Sequence, residues 1–210
     1  MPPSDPATVY QLRIRLDRIS PLVWRRLFVT DTTTIAELHA IIQLAFGWSD
    51  DHLRQFLIHG KAYGIAYIGG VSFADDPHKV YLADFRFRAG ERFFYEYNFH
   101  IPWRHEIRVK QMLPAAPGRR YPVCIGGARA APPEECAGPN TFLALRQEHH
   151  PHAVIERLLA LIEDPDDYLD PYDELRRLTY WAGINRCDRR AINRRLRNDQ
   201  EQPSESEVNE

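Results

Sequence analysis

Three cysteines, two methionines and three lysines are all that the 210 residues contain of those types. So sparse and odd a cysteine count excludes a disulfide framework and suits a reducing compartment, although Cys124 and Cys136 could still pair or share a metal. No apolar run approaches the ~20 residues of a membrane-spanning helix; Leu158 to Ile162 is typical of the longest. The first eight residues carry Pro2, Pro3, Asp5 and Pro6 where a secretory leader needs a basic start and an apolar stretch. A soluble, cytoplasmic protein with no membrane partner is therefore expected. Gly126-Gly127 lacks the following lysine and helix start of a phosphate cradle, and no dinucleotide fingerprint occurs, which sets nucleotide-dependent chemistry aside. No Gly-x-Ser-x-Gly elbow marks an activated serine. A net charge of −2 argues against bulk polyanion binding.

What is present suits one compact domain or two very small ones: 44% hydrophobic, 27% charged and 11% aromatic residues. Tyr10, Leu12, Ile14 and Leu16 alternate with polar neighbours, which predicts a strand with one buried face. After Ser20-Pro21 a second strand follows over Val23 to Val29, with Trp24 and Phe28 on one side and Val23, Leu27 and Val29 on the other. Thr34 and Glu37 stand at capping-box spacing before the helical series Ile35, Leu38, Ile41, Ile42, Ala45 and Phe46, and Gly47 ends it. Short strands and turns are expected from Phe56 to Val80. Two stronger strands cover Phe93 to Phe99 and Trp103 to Lys110; in the latter Trp103, His105, Ile107 and Val109 share one face. Six prolines and four glycines between Pro114 and Asn140 predict a long ordered loop. Helices follow, with Ile155, Leu158, Leu159 and Ile162 as one apolar stripe, another helix after Pro171, and a last one from Asp188 to Arg197.

Few groupings carry chemistry. His105-Glu106 begins like a zincin motif, but position 109 is Val and the segment alternates as a strand. His149, His150 and His152 could bind a transition metal, the plainer reading being a solvated turn before a helix. Asp50, Asp51 and His52 after Trp48 could act as acid–base groups or metal ligands, or simply as turn residues. Trp24, Trp48 and Trp103 are core residues or stacking platforms. Arg186, Arg190, Arg194 and Arg197 recur at helical spacing and could contact phosphates, or form an ordinary charged surface in a chain with 24 arginines. Arg13, Arg15, Arg104, Arg108 and Lys110 would add a basic sheet face if their strands are neighbours.

Taken in order, several pieces resemble the Ri-plasmid Orf-three-like family, whose members are often labelled passenger TnpR proteins of insertion elements. The resemblance runs from about residue 9 to 197. It is carried by Tyr10-Gln11-Leu12-Arg13-Ile14, Pro21-Leu22-Val23-Trp24-Arg25-Arg26, Leu38-His39, and Ile42-Gln43-Leu44-Ala45-Phe46-Gly47-Trp48, with Asp50, His52 and Phe56 beyond. Tyr97-Asn98-Phe99-His100-Ile101-Pro102-Trp103-Arg104-His105 is similar to the family's Tyr-Asp-Phe-Gly-Asp-x-Trp-x-His, keeping the aromatics and the histidine and losing both acids and the glycine. Asn98 and Ile101 supply no anionic oxygen where those acids would stand. Pro122, Cys124, Gly127, Arg129, Ala130, Pro132, Pro133, Glu134, Glu135, Cys136 and Gly138 follow the family's proline-rich loop. The resemblance implies an α+β fold and association with plasmids and mobile elements, with no established reaction. The TnpR label does not carry a resolvase activity here, because no serine nucleophile lies in a basic catalytic pocket.

The expected architecture is α+β: an N-terminal hairpin and helix, a mixed but mostly antiparallel sheet, and C-terminal helices packed beside it. Residues 1–8 are expected to be disordered, 9–197 to form a single domain (β-rich over 9–113, the proline/glycine loop over 114–140, helical over 141–197), and 198–210 to be a disordered acidic tail. The leading functional expectation is a non-enzymatic binding or accessory module without a cofactor, its groove lined by Trp48, Asp50, His52, Trp103, His105 and Glu134, taking a ligand or protein partner. One rival is a metal-dependent hydrolase or nuclease using Asp50, His52, His105 and Glu134. The other is a nucleic-acid-binding protein using Arg186, Arg190, Arg194 and Arg197.

Overall fold

A computed structural model describes residues 7–64 and 73–201. The expected disorder over 1–6 and 202–210, and part of the turn-rich region at 65–72, lie outside the described residues. Seven strands form one sheet: β1 (Thr8–Leu16), β2 (Trp24–Thr30), β3 (Arg54–Ile58), β4 (Lys61–Gly64), β5 (Arg92–Tyr97), β6 (Trp103–Pro114) and β7 (Val123–Ala128). Their spatial order is β4-β3-β5-β6-β1-β2-β7. The fold is α+β as expected, but every pairing is antiparallel rather than mixed.

Alternation decides which face is inside. Leu12, Ile14 and Leu16 of β1, Leu27 and Val29 of β2, Phe93, Tyr95 and Tyr97 of β5, and Trp103, His105, Ile107 and Val109 of β6 are all buried. Across these faces lies α1 (Ile35–Phe46), which buries Ile35, Leu38, Ile41, Ile42, Ala45 and Phe46. Its start is the expected capping box: Glu37 N–H donates to Thr34 Oγ1 at 3.1 Å and Thr34 N–H donates to Glu37 Oε2 at 2.7 Å. Gly47, at φ 78°, closes it, with its N–H donating to the Gln43 carbonyl.

The last turn of α1 holds no basic side chain, so its orphan carbonyls are met from elsewhere. Arg25 of β2 donates to the Ala45 carbonyl at 3.0 Å, and Arg195 donates to the Leu44 carbonyl at 2.8 Å. Two guanidinium charges thus stand at the negative end of the helix. Arg195 belongs to α5 (Arg189–Glu201), whose Asn193 side chain also bonds both the N–H and the carbonyl of Cys124 on β7, at 2.7 and 2.9 Å. One helix therefore ties the edge strand to α1.

Four expectations need correction. The segment 114–140 is not wholly loop: β7 pairs with β2, and its edge position asks for partners on one side only. Thr8 is ordered, as the first residue of β1, with its N–H donating to Asp31. Residues 198–201 are helical, because α5 runs four residues past Arg197 and Gln200 donates to the Tyr121 carbonyl. The remaining helices are α2 (Gly138–Glu148), α3 (Pro151–Glu163) and α4 (Pro171–Ala182). On α3 the expected apolar stripe faces mostly outward: Ile155 and Leu159 are each 55% exposed and Ile162 72%, while Leu158 packs partly buried against the core and Val154 and Leu161 are buried.

Gly127 shows why β7 keeps its glycines. A Cβ there would stand 2.5 Å from Cys187 Sγ and 3.0 Å from the Trp24 carbonyl oxygen. Gly127→Val is expected to push the chain before α5 off the strand and cost about 1–3 kcal/mol by urea denaturation; an unchanged midpoint would contradict this packing.

Candidate functional site

Five of the six residues expected to line a groove gather around a ring the sequence reading passed over, that of Tyr97, and the sixth, Asp50, is held beside them by His39 and Arg54. Trp48 stacks on the Tyr97 ring at 5.5 Å with 16° between planes, and His52 meets it edge-on at 5.5 Å. Glu134 accepts the Tyr97 hydroxyl proton and two further bonds from Ser49, through its N–H and its hydroxyl. Trp103 is the cross-strand partner of Tyr97 and lies 5.7 Å from Trp48. His105 reaches the group through Trp48, at 5.3 Å. Trp48 Nε1–H donates to the Pro132 carbonyl at 2.9 Å, so the indole clamps the proline-rich segment against the sheet.

This convergence is packed interior more than open groove. His105 is wholly buried, with Phe46, Trp48 and Tyr95 rings around it at 4.8–5.3 Å. The Trp103 carbonyl lies 3.1 Å from Nδ1, and Nε2 has no partner among the described residues. Trp103 is 1% exposed. Both were expected to face a ligand, and both are corrected to core positions: alternation turned them inward as read, and α1 with Trp48 then closed the space. Burial drives the His105 pKa down to about 3.

Asp50, grouped in the sequence reading with Asp51 and His52, is paired instead with a second histidine. His39 of α1 lies between the Asp50 carboxylate, 2.6 Å from Nε2, and the Tyr95 hydroxyl, 2.7 Å from Nδ1. Gln43 donates to the same hydroxyl at 2.7 Å, which leaves the Tyr95 proton for Nδ1 and places the imidazole N–H on Nε2, toward Asp50. Burial lowers the His39 pKa and the Asp50 hydrogen bond opposes it, consistent with a neutral ring. Arg54 completes the pairing of Asp50 at 2.7 Å. The row ends on Tyr95, wholly buried, so no reacting group can approach its far end. It ties the 48–54 segment to α1 and β5. Leu38-His39 and Tyr97 were in view only as motif letters; the signal that could have found them is that each polar ring falls on an inward register position.

Among the described residues no three His, Cys, Asp or Glu side chains are grouped as metal ligands. Asp50, His52, His105 and Glu134 do not converge as a ligand set, because His105 is sealed and Asp50 and Glu134 already accept several donors. Cys124, Cys136 and Cys187 are free thiols. His149 stacks on Trp181 at 4.7 Å in the interior, His150 caps α3, and His152 pairs with Glu156, so these three part company.

The open space lies beside this packed group. A cleft of about 580 Å³ runs between the end of α1, the 130–134 segment, α4 and the start of α5. Phe46 and Trp48 give it apolar surface; Arg176 and Arg186 stand at its rim with Glu134 and Asp188. The two acids are engaged, Glu134 as above and Asp188 with the Ala191 N–H at 2.9 Å. Of the expected arginine stripe, Arg190, Arg194 and Arg197 are exposed on α5, whereas Arg186 precedes the helix and belongs to the cleft.

Comparison with known proteins gives the family and the fold. The model of a family described as plasmid pRiA4b ORF-3-like protein matches residues 8–182, and the chain belongs to that family. It is 31% identical over 134 residues to an uncharacterized protein, y4hQ, of Sinorhizobium fredii, covering 63% of this chain and 69% of that one. The crystal structure of a protein of unknown function, MM3350, from Methanosarcina mazei Go1 superposes with a TM-score of 0.64 at 30% identity, covering 80% of this chain and 96% of that chain.

The depressed histidines make stability depend on pH. Unfolded, His105 takes up a proton below its ordinary 6.5; folded, it resists until about 3. Between these values the unfolded state holds more protons, so stability falls as pH drops, by on the order of 5 kcal/mol in all. Urea midpoints measured from pH 7 to 4 are expected to decline in the parent and more shallowly in His105→Leu, with His39 supplying a residual slope. Equal slopes in the two proteins would contradict the buried neutral ring.

Proposed function

We propose that this chain, as a member of the plasmid pRiA4b ORF-3-like family, is a non-enzymatic binding module and an accessory of a plasmid or other mobile element. Its ligand is an organic anion with an apolar body, held in the cleft beside Trp48. The observation that carries this reading is the contrast between the two parts of the region. The imidazole and carboxylate groups that could serve catalysis are spent on internal hydrogen bonds around Tyr95 and Tyr97. The neighbouring cleft keeps Arg176 and Arg186 at its rim, over surface from Phe46 and Trp48. Its volume falls within the ~300–1,000 Å³ usual for ligand sites, and apolar walls with a few placed charges are what such sites present.

Arginine suits this role because its charge persists at any working pH and its planar fork matches carboxylate and phosphate oxygens. Arg25 and Arg195 also border the cleft, but they are committed to carbonyls at the end of α1 and serve as its fixed wall.

Thermal unfolding in the presence of paired compounds tests the reading: aryl and alkyl phosphates or carboxylates, each beside its neutral ester or amide. A ligand at 100 times its Kd stabilises by about 2.7 kcal/mol, which raises the melting temperature several degrees in a protein of this size. The anionic member of a pair is expected to give the rise, the neutral member none, and Arg186→Ala less than half of it. Equal response to both members, or an undiminished response in Arg186→Ala, would contradict the proposal.

A further inference from the structure

The sheet face turned away from α1 carries an arrangement of its own. Register sets Arg26 opposite Arg13, Arg13 opposite Arg108 and Arg108 opposite Arg92, so four arginines stand abreast across β2, β1, β6 and β5. At about 4.8 Å between strands the row is about 14 Å long. Two residues along, the parallel row reads Trp24, Arg15, Glu106 and Phe94.

Like charges directly opposite one another destabilise a sheet, so such a row needs a counter-charge. The protein supplies little. Glu106 is held by Arg15 at 3.0 Å and, of the row, lies 3.8 Å from Arg92 and within electrostatic reach of Arg108. Glu96 is taken by Gln55 and Arg104. The buried Nε atoms of Arg13, Arg26 and Arg108 have no partner among the described residues. What these arginines do have is aromatic surface: Arg13 and Arg26 lie over the Trp24 ring at 5.2 and 5.3 Å, and on the same face Arg104 lies over Phe94 at 4.0 Å.

We propose that this face binds single-stranded nucleic acid, the arginine row meeting the phosphodiester backbone and the Trp24 and Phe94 ends of the adjoining row stacking bases. A broad sheet face cannot enter a duplex groove, whereas unpaired bases offer π-faces to aromatic rings and guanidinium planes. An acidic protein segment would answer the charge and leave the aromatic ends unused. The overall charge of −2 is no obstacle, because the four arginines of the row stand together on this face. This surface is separate from the cleft beside Trp48, so either reading can fail alone.

The test is fluorescence anisotropy of labelled oligouridine and oligothymidine of about twelve nucleotides with the full chain, titrated with salt. Binding of at least one oligonucleotide is expected, with log K falling against log salt at a slope of about −2 to −3, as three or four neutralised phosphates require. Arg26→Gln with Arg108→Gln should weaken it tenfold or more and flatten the slope. Trp24→Leu should weaken it fivefold or more. Arg190→Ala with Arg194→Ala should change it less than twofold. Circular dichroism confirms that each variant is folded; should the double variant not fold, Arg92→Ala, at a position 60% exposed, should still lose two- to fourfold. The proposal is overturned by no binding of either oligonucleotide at 50 mM salt, by loss in the α5 variant instead of the sheet variants, by indifference to Trp24→Leu, or by equal competition from polyglutamate.

Discussion

Polar rings buried in an apolar sheet face must find hydrogen-bond partners, and most of this molecule is arranged to provide them. An unpaired buried polar group costs on the order of 1–3 kcal/mol, and several rings placed inside recruit a neighbour, while His105 Nε2 and Trp103 Nε1 have none among the described residues. Tyr95 recruits His39 and Gln43 from α1, His39 recruits Asp50, and Tyr97 recruits Glu134 from beyond β7. Trp48 reaches the Pro132 carbonyl. These bonds cross from sheet to helix to two separate loops, and they set where the 48–54 and 130–134 segments can lie. The cleft is the space left between those segments and α4 and α5. Its position therefore follows from the interior.

The two faces of the sheet answer different solvents. The inner face meets α1 and is filled with aromatic and branched side chains. The outer face has arginine where many proteins would place lysine or threonine. Guanidinium groups are weakly hydrated and stack on rings, so they can lie half-buried over Trp24 and Phe94 without being neutralised. Arginine also serves inside: Arg25, 3% exposed, spans the Ala45, Trp24 and Ala128 carbonyls, joining the end of α1 to β2 and β7. The compositional bias to arginine thus reports two structural tasks, capping a helix and clothing a sheet.

The elements set by local rules were legible in the sequence. Period-two alternation gave β1, β2, β5 and β6 with the correct inward residues, and the Thr34–Glu37 pair with Gly47 marked both ends of α1. Where long-range contacts decide, local patterns ran out. The proline and glycine density of 114–140 concealed β7, whose glycines reflect the approach of Cys187 and Trp24 rather than looseness. On α3 the stripe of Ile155, Leu158, Leu159 and Ile162 has the right spacing for a core face, yet tertiary packing takes Val154 and Leu161 and, of the stripe, Leu158 in part. His105 was rightly turned inward, but alternation says nothing about what closes over a ring. Tyr97 and His39, on which the region turns, differ from ordinary core residues only through partners 37 and 11 positions away.

The most direct test of the account is the protonation state of the histidine rings followed by NMR in uniformly nitrogen-labelled protein. The His105 imidazole is expected to stay neutral, with unchanged nitrogen shifts, as pH is lowered from 7 to 4.5. A His105 ring that takes up its proton near pH 6.5 in the folded protein would contradict the sealed aromatic interior from which everything else here is built.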